Sequence, residues 1–208
     1  MSQIALPLTP RNKDDPARIV LGTANLHVAE ALRDPERWPF RTAVLAGPPR
    51  SGKSLLARWF EGAGKGEAID PADTLDETEL FHRWNRAQED GRPLLLVSGA
   101  QVWEIALPDL RSRIGAALHL EIGAPDDEMI AALIESHAAR RGLALGEGAL
   151  TYLVPRAERS FAGVERLVAA IDRLSLERKA AATLSVWRDA LAAVQGPEQG
   201  KLGLDPAK

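Results

Sequence analysis

The sequence predicts an α/β fold in which a parallel sheet lies between two layers of helices, followed by a smaller all-α part. Three observations carry this expectation. The run Gly47-Pro48-Pro49-Arg50-Ser51-Gly52-Lys53-Ser54 matches the phosphate-loop pattern G-x-x-x-x-G-K-[ST]. Leu94-Leu95-Leu96-Val97 is a continuous apolar run, the pattern of a strand buried on both faces of a parallel sheet. After Gly123 strand patterns stop and helical periodicity takes over.

The phosphate loop sets the chemistry. Gly47 and Gly52 let the backbone curl closely around a phosphate chain. The amides from about Arg50 to Ser54 would then point inward at the start of a helix, where the dipole favours negative charge. Lys53 would neutralise the β- and γ-phosphates, and the Ser54 hydroxyl would hold Mg²⁺. The flanks agree: Thr42-Ala43-Val44-Leu45-Ala46 reads as a buried strand, and Leu55-Leu56-Ala57-Arg58-Trp59-Phe60 as a helix with one apolar face. Strand, loop and helix together define a nucleotide site.

The other elements follow in order. Ile19-Val20-Leu21-Gly22 leads through Thr23-Ala24-Asn25 into a helix ending near Arg33, and Asp34-Pro35 and Trp38-Pro39 break the chain before the first strand. Gly62 to Gly66 is a loop, and Glu67-Ala68-Ile69-Asp70 a very short strand. Asp76 to Gln88 reads as a helix, with acids in its first turn and Leu80, Phe81, Trp84 and Ala87 on one face. Asp109 to Arg113 predicts a short helix or turn, and Ala117 to Ile122 a further strand. Strands alternating with helices call for right-handed crossovers. Beyond Gly123, Pro125-Asp126-Asp127-Glu128 opens a helix, with Pro at its first position, that ends near Gly142. Phe161, Val164, Leu167, Val168, Ile171 and Leu174 define a long amphipathic helix. A last helix after Thr183 carries Val186, Trp187, Leu191 and Val194.

At 208 residues and 45% hydrophobic, the chain can bury a core in one domain with at most a small appendage. A net charge of −3 gives no general pull towards nucleic acid. The lack of cysteine excludes disulfides and thiolate metal sites and suits a reducing cytosol. The histidines show no ligand spacing, so a protein metal site is not expected. No apolar run is long enough to span a bilayer, and no signal-peptide pattern opens the chain. Residues 1–16 carry one apolar cluster, Gln3-Ile4-Ala5-Leu6-Pro7-Leu8, in a segment whose prolines rule out a helix. This reads as a flexible arm whose patch either lies on the protein's own surface or docks in extended form into a partner's groove. Residues 196–208 are polar and are expected to be disordered.

A phosphate-loop sheet followed by a helical lid is the layout of the AAA+ ATPases, and local runs narrow the resemblance. Ile19-Val20-Leu21-Gly22-Thr23-Ala24-Asn25 resembles the adenine-side segment of the replication initiator DnaA. Leu80-Phe81-His82-Arg83-Trp84-Asn85 resembles the helix before its sensor strand, and Leu107-Pro108-Asp109-Leu110-Arg111-Ser112-Arg113 the segment with its arginine finger. Arg159-Ser160-Phe161 and Ile171-Asp172-Arg173 resemble its lid. DnaA continues into a helix-turn-helix domain that has no counterpart here, so the chain is more similar to the Hda family, especially its alphaproteobacterial form. Members of that family perform regulatory inactivation of DnaA.

The resemblance implies an AAA+ base over residues 17–122, one strand short in its parallel sheet, and a helical lid over 123–195. It implies ADP or ATP with Mg²⁺, contacted by Ile19, Val20, Gly47, Pro49, Arg50, Ser51, Gly52, Lys53, Ser54, Leu55 and Arg159. Gln3, Ile4, Leu6 and Leu8 would bind the sliding clamp of DNA polymerase III. Arg113, or its neighbour Arg111, would reach the ATP held by DnaA. Such a finger neutralises charge developing on the transferring phosphoryl group, an effect of about 10³ to 10⁵ in rate in GTPase systems. The implied protein is a cytoplasmic regulator of replication initiation, with no membrane contact and no sequence-specific nucleic-acid binding of its own.

The sequence departs from the family in three places. The acidic motif shrinks to Ala68-Ile69-Asp70-Pro71, with Asp70 (or Asp73) left to hold the metal shell and no second acid beside it. Ser98 takes the polar sensor position. The family's lid arginine matches Ala162, with Arg159 or Arg166 as neighbours that could compensate. Tight nucleotide binding with slow or absent intrinsic hydrolysis is therefore expected. Two other readings stand beside the regulator: a nucleotide-stabilised scaffold for clamp or DnaA, and an autonomous phosphate-loop ATPase or kinase, which the segment around Asp70 disfavours.

Overall fold

The computed structural model describes residues 19–100 and 103–196; the expected arm with Gln3, Ile4, Leu6 and Leu8, and the expected tail beyond Gly196, lie outside them. The elements are α1 (Leu26–Ala31), β1 (Thr42–Ala46), α2 (Lys53–Gly62), β2 (Glu67–Ile69), α3 (Glu77–Glu89), β3 (Leu94–Val97), α4 (Pro108–Gly115), β4 (Leu118–Glu121), α5 (Asp127–Arg140), α6 (Ala149–Leu153), α7 (Phe161–Arg178) and α8 (Leu184–Gln195). The strands form one four-stranded parallel sheet in the order β2-β3-β1-β4.

Alternation of side chains across the pleat divides the sheet's residues between two cores. Ala43 and Leu45 of β1 and Leu95 and Val97 of β3 pack with α1 and α2. Val44 of β1 and Leu94 and Leu96 of β3 pack with α3 and α4 on the opposite face. All four residues of β3 are buried, as the continuous apolar run requires. The helices beyond β4 close a third core around Ile130, Ile134, Leu153, Val168 and Trp187. Three residues from that part cross into the first core: buried Met129 and half-buried Leu133 of α5, and buried Phe161, the first residue of α7. No helix among the described residues is long and apolar enough to cross a membrane.

The element boundaries follow local chemistry. The Asp76 carboxylate accepts hydrogen bonds from the amides of Thr78 and Glu79, both at 3.0 Å, and so caps α3. Asp126 does the same for α5, accepting from the Met129 amide at 2.8 Å. Pro125 therefore stands before the cap, and not at the first helical position as the sequence pattern predicts. Pro108 does take the first position of α4, which runs longer than the Asp109–Arg113 expectation. The short α6 carries no sequence pattern of its own. The isolated pairing of Leu145 with Ala182 ties the α5–α6 loop to the α7–α8 loop.

The connection from α2 to β2 leaves no room for a further strand, so β2 is a sheet edge. An edge exposes unpaired backbone groups, and here the chain covers them itself. The Ala68 amide donates to the Glu61 carboxylate at 3.0 Å, and Arg83 pairs with Glu67. Gly66 makes this tight entry possible. A Cβ there would collide with the Pro93 carbonyl oxygen and stand 2.8 Å from atoms of the Phe60 ring. That carbonyl already accepts from the Glu67 amide at 2.9 Å, so it cannot yield. Gly66→Ala is expected to cost about 1–3 kcal/mol of stability, read as a lower urea midpoint at unchanged m-value.

Candidate nucleotide-binding site

The phosphate loop leaves β1 at the carboxyl edge of the sheet, where open parallel sheets bind their ligands. Gly47 has φ +153, and a Cβ on it would stand 2.8 Å from that of Ile122, just beyond β4. Only a glycine passes that close. Gly52, at φ +93, forms the N-cap of α2, where helix geometry leaves the amides of Lys53 and Ser54 without an intrahelical acceptor. Lys53 turns back into the loop, its Nζ donating to the carbonyls of Gly47 at 2.6 Å and Pro48 at 3.1 Å. Burial lowers the Lys53 pKa, an effect opposed by the charges of Asp70 and then Asp73. The Ser51 hydroxyl is buried and lacks a hydrogen-bond partner among the described residues. A lysine folded onto carbonyls, an unpaired hydroxyl and a helix N-terminus make a cradle that fits a polyphosphate.

The cradle opens into a cavity of about 360 Å³ between the loop, the Ile19–Val20 segment, α5 and α7. Ile19, Val20, Arg50, Ser51, Gly52, Lys53, Ser54 and Leu55 all line it, while Gly47 and Pro49 do not. At the other end Leu133 and Phe161 join Ile19 and Val20 to give apolar walls suited to a flat ring. Asn25, almost fully buried, holds this end in shape. It accepts from the Gly22 amide at 3.0 Å and donates to the Val20 carbonyl at 2.9 Å.

The acids divide their roles. The loop after β2 continues beside β3, with the Ala72 amide donating to the Val97 carbonyl at 2.8 Å. Asp73 then turns into the loop after β3, accepting from the amides of Gly99 at 2.9 Å and Ala100 at 2.6 Å and from the Ser98 hydroxyl at 3.3 Å. Asp73 and the sensor-like Ser98 thus bind each other. Asp70 is exposed; the charges of both acids reach Lys53, that of Asp70 the more strongly, and Asp73 keeps its Oδ1 buried without a hydrogen-bond partner among the described residues. No acid follows Asp70 directly.

The arginines are arranged differently from the sequence match. Arg159 stands outside the cavity, its guanidinium paired with Asp127 at 2.8 Å. Arg166 is paired with Glu158 at 2.6 Å. The cavity instead takes cations from Arg58 on α2 and Arg140 on α5, positions that no motif marks. Glu165 on α7 pairs with Arg50 of the loop at 3.2 Å and ties the helical part to the cradle. Arg113 does not line the cavity. Its guanidinium lies over the rings of Phe81 and Trp84 on α3, and Arg111 donates to the Ile105 carbonyl at 2.7 Å.

No family model matches the sequence. Among solved structures the chain is similar to domain III of the Thermotoga maritima replication initiation protein DnaA, with a TM-score of 0.69 and 16% identity over 86% of this chain and 95% of that one. It is also similar to the Thermotoga maritima RuvB Holliday junction branch migration motor, with a TM-score of 0.62 and 17% identity over 89% of this chain and 72% of that one. A third match is a replication initiator DnaA bound to AMPPCP and single-stranded DNA, with a TM-score of 0.55 and 16% identity over 76% of this chain and 65% of that one. The chain therefore has a DnaA-like AAA+ phosphate-loop fold with a helical C-terminal part.

His137, on the cavity wall, accepts a hydrogen bond from Arg140. Burial, then the Arg140 charge, push its pKa from 6.5 down to about 4; Glu165 opposes this, and Arg141 and Arg50 add to it. The folded state thus holds a neutral ring where the unfolded chain binds a proton. Stability from this group is present above pH 6.5 and lost as pH falls through about 4. His137→Gln removes that loss. Urea unfolding between those limits should show the wild type losing up to about 1.4 kcal/mol per pH unit relative to the variant.

Proposed function

We propose that this chain binds an adenine nucleotide with Mg²⁺ and regulates replication initiation by stimulating hydrolysis of ATP held by DnaA, with Arg113 acting in trans. The observation that carries the reading is the separation of two cationic groups. Lys53 serves the chain's own cavity, while Arg113 lies outside its lining on the last turn of α4. An arginine that does not face its own nucleotide can act on a phosphoryl group only in another molecule. The resemblance to Hda supplies the partners: DnaA, and the sliding clamp of DNA polymerase III through Gln3, Ile4, Leu6 and Leu8.

On this reading each residue of the cradle has a defined task. Lys53 exchanges the carbonyls of Gly47 and Pro48 for phosphate oxygens, and the first-turn amides of α2 add to the same charge. Ser54 and Asp70 stand on the metal side. The bound nucleotide supplies negative charge that holds Lys53, Arg50 and the helical part together. Asp70 lacks the neighbouring acid that would position an attacking water, so the chain's own hydrolysis is slow or absent. A scaffold whose nucleotide is structural is the second reading, favoured by the packing of Arg113 against its own α3.

Lys53→Ala should weaken ADP binding by roughly 100-fold in calorimetry, the effect of losing two charge-assisted hydrogen bonds. The deciding measurement is hydrolysis of DnaA-bound ATP with ADP and DNA-loaded clamp present. The wild type should accelerate it, and Arg113→Ala should cut that stimulation by roughly 10³-fold. If neither protein accelerates hydrolysis while both bind the clamp, the scaffold reading replaces the regulator.

A further inference from the structure

Arg113 reaches from α4 across to α3, which receives it on one face. Phe81, Trp84 and Asn85 lie three and four residues apart, the spacing of neighbours on a helix surface. The guanidinium carbon stands 4.7 Å from the centre of the Phe81 ring and 4.3 Å from that of Trp84. One Nη donates to the Asn85 side-chain carbonyl at 2.8 Å. Trp84 is only 7% exposed and belongs to the core between the sheet and α3, so the platform has a rigid floor.

Stacking on aromatic rings uses the face of a guanidinium and leaves its N–H edge available. Of the five donors, Asn85 engages one. Arg113 is half-buried, and no carboxylate pairs with it among the described residues, whereas Arg50, Arg83, Arg159 and Arg166 each have one. Two residues earlier, Arg111 is folded back onto the carbonyls of Ile105 and Ala106. A cation held over two aromatic rings, half-buried and paired with no carboxylate among the described residues, is pre-organised for an external anion.

We propose that Phe81, Trp84 and Asn85 are positioning residues that hold Arg113 with its free edge towards a phosphoryl oxygen of a nucleotide bound by another protein. The inference rests on the trans-acting reading of Arg113 above. It adds a specific claim: the contacts on α3 orient the arginine for that role and do not store it away from its target.

Two variants test this at half-buried positions, sparing the fully buried residues of the core. Asn85→Ala removes the hydrogen bond, and Phe81→Leu removes a ring while keeping apolar bulk. Side-chain ¹⁵N relaxation of the Arg113 Nε–H group, identified by its absence in Arg113→Ala, should give an order parameter near the rigid value of about 0.85 in the wild type and below about 0.6 in either variant. In the DnaA-bound ATP assay both variants should lose about tenfold in maximal stimulation at unchanged half-saturating concentration, which is about 1.4 kcal/mol of orientation. Neither should change the residual rate in an Arg113→Ala background. A loss that persists in that background would mark Asn85 and Phe81 as merely structural and overturn the inference. A mobile Arg113 in the wild type would overturn it too, as would variants that match or exceed the wild-type stimulation. If the wild type itself stimulates nothing, the trans-acting reading falls and takes this inference with it, an outcome distinct from a wild type that works as well as its variants.

Discussion

The pairing of β1 with β3 on one side and β4 on the other governs the site, because it fixes both walls of the opening through which the phosphate loop leaves the sheet. The ladder runs one step past each neighbour. The Ser98 amide donates to Leu45 and the Ile122 amide to Ala46, both at 2.9 Å. Ser98 then meets Asp73, which binds the loop after β3. Ile122 approaches Gly47 so closely that no side chain fits between them, and the Gly123 amide next to it donates to Ala24 at 3.0 Å. Two backbone hydrogen bonds at the end of one strand thus place the acid loop, the phosphate loop and the Ile19–Val20 wall together.

The helical part is joined to this frame through apolar packing as well as charge. Phe161 and Met129 sit in the core under α1 and α2, Thr23 donates to Asp126, and Glu165 meets Arg50. The polar links are exposed or partly so and are individually weak. The burial of Phe161 is the stronger constraint, since removing a buried phenylalanine costs about 3–5 kcal/mol. Phe161 also lines the cavity, so the residue that fixes where α7 begins is also the one a bound ring would touch.

The sheet could be read from the sequence because each strand's pattern reports a local environment. Leu94–Val97 is apolar throughout since both its faces are covered, and the limits of β3 agree with the pattern. The phosphate loop was equally legible, its glycines being required by backbone geometry at Gly47 and Gly52. The far wall of the cavity was not. Ser136, His137 and Arg140 lie on a helix whose sequence signals its two ends but not which neighbour its sides meet. Arg159 illustrates the converse. It falls beside the position where the family places its lid arginine, yet Asp127, distant in sequence, pairs with it outside the cavity. The start of α5 was misplaced for a related reason, since Pro125 and Asp126 are both good start signals and the carboxylate that caps the Met129 amide decided between them.

The distribution of charged groups bears on what the fold has kept. A phosphate-loop enzyme that turns over its own nucleotide needs charge for the phosphates, an acid for the metal and a further group to position water. Lys53 meets the first need, and Asp70, with the Ser54 hydroxyl, is available for the second. Asp73, three residues on, braces the loop after β3 through its Oδ2, which accepts from the amides of Gly99 and Ala100, while its Oδ1 is buried without a hydrogen-bond partner among the described residues. No acid follows Asp70 directly in the sequence for the third task. The phosphate cradle thus has its lysine, hydroxyls and helix amides in one place, while Arg113 lies outside the cavity lining and is held against α3.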